Sequence, residues 1–107
     1  MAIRIKAPNP AVLLRAIRQE ILQGNVLTWE LYTDGTFTHC ADQWDQRAYF
    51  TPRVFQKILR FNLIPGSEDP VQGDTYGLYH GRFVEMLTTH HSHRLNWIQV
   101  VPHNRRV

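Results

Sequence analysis

Val26-Leu27-Thr28-Trp29-Glu30-Leu31-Tyr32-Thr33-Asp34-Gly35-Thr36-Phe37-Thr38-His39-Cys40 decides how this chain folds. Asp34-Gly35 lies between two runs rich in Thr, aromatic and aliphatic residues, a strong hairpin signal, because a primed two-residue turn needs positive φ at both central positions. That loop sets Thr33 against Thr36, Tyr32 against Phe37, Leu31 against Thr38, Glu30 against His39 and Trp29 against Cys40. Side chains alternate along a strand. Leu27, Trp29, Leu31, Thr38 and Cys40 then form the core face, while Thr28, Glu30, Tyr32, Phe37 and His39 form the open one. A three-residue loop with a bulge would carry Phe37 and His39 to the opposite face.

Upstream, Ile3-Arg4-Ile5-Lys6 alternates apolar and basic and predicts a short strand with both isoleucines inward. Asn9-Pro10 reads as a helix cap followed by proline at the first helical position. The helix from Pro10 to Gln23 is expected to bury Leu13, Leu14, Ile17 and Ile21, three and four apart, and to end at Gly24-Asn25. Downstream, Thr51-Pro52 repeats the cap-then-proline signature. It predicts a second helix to about Arg60, with Val54, Phe55, Ile58 and Leu59 buried and Arg53, Lys57 and Arg60 outward.

The stretch from Pro65 to Pro70 reads as a surface loop and the most mobile segment. Gly73, Gly77 and Gly81 recur every four residues, but glycine inside a helix costs about 1 kcal/mol relative to alanine. This part is therefore expected to be irregular, with a helix starting near Gly81 and showing Phe83, Met86, Leu87 and His90 at helical spacing. Leu95 to Val101 predicts a last strand, and residues 102–107 a frayed basic tail. The order is β-α-β-β-α-α-β. Taking the second helix as an insertion leaves a ferredoxin-like βαββαβ plan: an α+β two-layer sandwich with an antiparallel sheet and helices on one face.

A chain of 107 residues implies one domain, 1–107. No apolar run is long enough for a transmembrane helix, and the Met-Ala-Ile-Arg start lacks a signal peptide's apolar region. A single cysteine suits a reducing compartment, so a cytoplasmic location is expected. A formal charge of +3 permits an acidic partner without requiring one.

The open sheet face is expected to show Arg4, Lys6, Glu30, Tyr32, Phe37 and His39, joined by either Trp97 and Gln99 or Asn96 and Ile98. Arg4, Lys6, Tyr32 and Phe37 are the expected binding residues. The leading expectation is a protein-interaction module, homo-oligomeric or with a protein partner, that uses this face without a cofactor or a membrane. The alternative is a single-stranded nucleic-acid binder using the same side chains, although no RNP1 pattern supports it.

A small hydrolase is the remaining reading. Glu30 opposite His39 would have general-base geometry but lacks a nucleophile on its face. His90, His91 and His93 could ligate a metal, yet adjacent helical residues diverge by about 100° and no HExxH or CxxC spacing supports a site. The chain therefore reads as a non-enzymatic module.

Overall fold

A computed structural model describes residues 2–101, so the expected basic tail lies outside the described residues. Strand β1 (Ala2–Lys6) leads into helix α1 (Pro10–Leu22), and the hairpin β2 (Trp29–Leu31) and β3 (Phe37–His39) follows. A second, longer hairpin joins β4 (Ala48–Phe55) to β5 (Ile58–Pro65); α2 (Gly73–His91) and β6 (Trp97–Val101) complete the chain. The strands form one six-stranded antiparallel sheet in the order β2-β3-β4-β5-β1-β6. The class is α+β, as expected, with one strand pair more and one helix fewer than the sequence predicted.

Helix α1 is the predicted one. The Asn9 side chain accepts the Val12 N–H at 3.3 Å, Pro10 opens the helix, and Leu13, Leu14 and Ile17 are buried. Gly24 follows at φ 81, a conformation glycine adopts without a Cβ clash. Ile3 and Ile5 of β1 point inward and are fully buried, as their alternation required.

The β2–β3 register differs from the expected one by a residue: Trp29 opposes His39, Glu30 opposes Thr38 and Leu31 opposes Phe37. Gly35 N–H donates to the Tyr32 carbonyl and Tyr32 N–H to the Thr36 carbonyl, both at 2.9 Å, while Gly35 sits at φ 89. This is a three-residue loop closed by a glycine bulge. Asp34 holds it by accepting from the Thr36 N–H at 3.0 Å and hydroxyl at 2.7 Å. The bulge sends Phe37 and His39 to the core side with Trp29.

The predicted helix from Pro52 to Arg60 is a hairpin instead. Phe55 pairs with Ile58 around Gln56-Lys57, and Lys57 takes φ 65. Two features make the strand possible. β3 pairs with β4 only at Phe37–Phe50, so Pro52 lies where β4 has no neighbour on that side and its missing N–H leaves no ladder bond unmade. In β5, Leu59, Phe61 and Leu63 alternate into the core.

The helix expected near Gly81 begins eight residues earlier, at Gly73. Thr75, Tyr79, Phe83, Met86 and Leu87 line its buried side, and their burial outweighs three glycines that all face open space. Gly77→Ala and Gly81→Ala are each expected to raise stability by about 0.5–1 kcal/mol, read as higher melting temperatures. Unchanged melting would mean that the glycines serve an unseen contact.

The core is aromatic. The Phe83 ring lies 4.7 Å from Phe50, 4.7 Å from Phe61 and 4.9 Å from Trp29, centroid to centroid. The 65–70 loop, expected to be mobile, is anchored. Gly66, Ser67 and Glu68 N–H groups donate to the Arg47 and Gln46 carbonyls, and Arg47 meets the Glu68 carboxylate at 3.2 Å. A Cβ on Gly66 would press into the Gln46 carbonyl and stand 2.8 Å from the Tyr49 ring. Backbone cannot retreat cheaply. Gly66→Ala is expected to cost about 2 kcal/mol, seen as a lower urea midpoint at constant slope.

Candidate functional site

Both helices cover one side of the sheet, and the strand registers lay out the other in rows. One row runs across four strands: Arg53 of β4 opposes Arg60 of β5, Arg60 opposes Arg4 of β1, and Arg4 opposes Gln99 of β6. Arg4 Nη1 donates to Gln99 Oε1 at 2.9 Å. The row on one side holds Phe55, Ile58, Lys6 and Trp97; on the other come Thr51, Asn62, Ala2 and Val101, then Tyr49 and Ile64.

Three neighbouring arginines oppose like charge to like, which destabilises a bare sheet. Phe55 relieves part of this, its ring lying 5.0 Å from the Arg60 guanidinium and 5.6 Å from that of Arg53. Arg60 Nε is enclosed with no partner. Across β4, β5, β1 and β6 this face carries no carboxylate. Among the described residues, none of the three arginines is in an ion pair. Trp97 and Phe55 are each 41% exposed, which leaves aromatic surface free at both ends of their row.

Of the predicted binding residues, Arg4, Lys6 and Tyr32 lie on the open side, and the final strand contributes Trp97 and Gln99. Tyr32 meets Tyr49 edge-on at 5.2 Å. Desolvation, then hydrogen bonding to Tyr49, pushes the Tyr32 hydroxyl up to about 12, so it stays a neutral donor. Phe37 is fully buried among Phe61 and Phe83 and cannot bind a partner. Arg53, Arg60 and Phe55 do not stand out in the sequence as members of this face, because Thr51-Pro52 signals a helix there. The alternation of Leu59, Phe61 and Leu63 is the signal that could have found them.

Glu30 and His39 do not form the expected pair. Glu30 opposes Thr38 and is exposed, whereas His39 is buried beside Trp29 at 5.0 Å. His39 Nδ1 lies 2.7 Å from the Thr28 carbonyl, which can only accept, so that nitrogen carries the proton and Nε2 is bare. Burial depresses its basicity and keeps it neutral. The lone thiol of Cys40 points at the Leu27 carbonyl, 3.3 Å away, and burial raises its pKa.

The three histidines expected as weak metal candidates diverge. His90 faces Glu20 at 4.0 Å, and His91 is enclosed and accepts from Arg94 at 3.4 Å. His93 is exposed in the short turn after α2. Among the described residues, no three His, Cys, Asp or Glu side chains converge as metal ligands. None of the described helices is long and apolar enough to cross a membrane.

The fold and face together define an α+β domain with a basic, aromatic-edged open sheet. No protein-family model, curated protein or solved structure matches the chain.

Proposed function

We propose that this protein binds single-stranded nucleic acid on the open sheet face, the phosphate backbone following the row Arg53, Arg60 and Arg4 with Lys6 beside it. Phe55 and Trp97 offer rings on which bases stack. The observation that carries this reading is three adjacent arginines with no carboxylate among them on an exposed sheet. Stacking on aromatic side chains and phosphate neutralisation by arginine and lysine are the two components of sequence-tolerant single-strand binding.

The same observation counts against the expected self-association through this face. A second copy stacked on it about a twofold axis would set arginines against arginines. A protein partner would need an acidic surface to match.

We read the architecture as a ferredoxin-like βαββαβ unit made of β1, α1, β4, β5, α2 and β6, with the β2–β3 hairpin inserted after α1. In that reading the sheet order β4-β5-β1-β6 leaves β1 and β5 central, where Arg4 and Arg60 lie, with Arg53 beside them on β4. A cytoplasmic location goes with this proposal.

The test is a backbone-amide NMR titration with a short mixed-sequence single-stranded RNA, at about 50 mM and about 200 mM salt. Shifts concentrated on β1, β4, β5 and β6, with affinity falling as salt rises, are the expected result. Shifts that avoid these strands, or an affinity indifferent to salt, would overturn it.

A further inference from the structure

We propose that the groove between segment 25–28 and α2, on the opposite side of the sheet from the arginines, binds a small neutral apolar molecule bearing a hydroxyl, of the phenol class. The groove has a volume of about 600 Å³, within the range of small-ligand sites. Val26, Leu78, Met86 and Trp44 supply apolar lining with His39 set among them, while Asn25, Thr28, Thr89 and His90 also reach the wall.

His39 is what makes this a site rather than a surface crease. The side chain is only 4% exposed. Its Nδ1–H is used by the Thr28 carbonyl at 2.7 Å, while Nε2 has no protein partner and is not among the fully enclosed nitrogens. A neutral imidazole tied in this way offers one bare lone pair at the groove. It can accept but not donate, so a complementary ligand must bring an O–H or N–H.

The charges at the mouth set the ligand's own charge. Arg82 and Glu85 both line the groove and pair with each other at 3.2 Å, each more than half exposed. They neutralise one another in solvent and ask for no net charge inside. An apolar body with a hydroxyl satisfies the walls and the lone pair together; a phenol, a better donor than an aliphatic alcohol, does so best.

The experiment compares 4-ethylphenol with 4-ethylanisole, its methyl ether, of similar shape but with no donor. Binding is followed by amide shifts and by the histidine ring ¹⁵N resonances of the intact protein. The phenol is expected to bind about tenfold more tightly than the ether, to shift the amides of Val26, His39, Leu78 and Met86, and to move the His39 Nε2 resonance. His39→Phe is expected to bind both compounds equally. Equal affinity of the unmodified protein for the two compounds, or no binding of the phenol up to its solubility limit, would overturn the proposal without reference to the variant's folding. Nucleic-acid binding on the arginine face should be unchanged by the phenol.

Discussion

Replacing Arg4, Arg53 and Arg60 together with glutamine is expected to weaken single-stranded RNA binding by roughly a hundredfold at low salt and to flatten its salt dependence. Each phosphate neutralised on a single strand contributes about −0.7 to the slope of log K against log salt. Contacts from the three arginines and Lys6 therefore predict a slope near −2.8 for the unmodified protein, and about −0.7 when Lys6 alone remains.

The triple variant should fold, and more stably than its parent, because it removes the like-charge oppositions of Arg53 with Arg60 and of Arg60 with Arg4. Higher stability joined to lost binding is the signature of side chains held for a ligand. A variant that kept both the parent's affinity and its slope would refute the phosphate path. Trp97→Ala separates the remaining component: it should lower affinity while leaving the slope intact, since stacking releases no counterions.

Acid is expected to destabilise the protein well above the pH at which carboxylates titrate. Burial lowers the pKa of His39, His80 and His91, with His91 down to about 4. Each of these histidines therefore binds a proton more readily in the unfolded chain than in the folded one. The unfolded state takes up protons as pH falls through about 6.5 while the folded state does not, so stability is full above that value and declines towards pH 4.

For His91 the full loss, reached below pH 4, is about 3.5 kcal/mol, at about 1.4 kcal/mol per pKa unit. Its environment explains the size. The Arg94 guanidinium donates to Nδ1, so Nε2 carries the proton, enclosed with no acceptor, and a charged ring would face that guanidinium as well. His80 is also enclosed, its Nδ1 bonded to the Tyr76 carbonyl at 2.8 Å and its Nε2 without a partner.

Carboxylates act in a different window. Hydrogen bonds hold the pKa values of Asp34 and Glu68 below their ordinary values near 4, so the stability these groups add is lost only at lower pH. Urea unfolding at pH 7.5 and about pH 5 thus isolates the histidines. His91→Gln should unfold with a shallower pH dependence over this interval than the parent. A parent whose stability is flat from pH 7.5 to 5 would contradict the neutral, buried state of these rings.

Some of this architecture was legible in the residues alone. Asn9-Pro10 with Leu13, Leu14 and Ile17 specifies α1, because capping, proline and the apolar stripe all act within one element and agree. Ile3 and Ile5 specify the inward side of β1 for the same local reason. The dipeptide Asp34-Gly35 announces a hairpin within the stretch from Val26 to Cys40.

Four features were settled by contacts between distant residues. Whether the loop at Gly35 holds two residues or three is nearly neutral locally; burying Phe37 against Phe61 and Phe83 selects three, and that reverses the faces of Phe37 and His39. Pro52 signals a helix start until β4 is seen to lack a neighbour on its β3 side there. The glycines of α2 argue against a helix until Tyr79 and Phe83 bury against Trp29 and Phe50. The arginine row depends on pairings up to 95 residues apart, as between Arg4 and Gln99. Local propensities of a few tenths to 1 kcal/mol per residue decide an element only when burial is indifferent, and here the aromatic core was not.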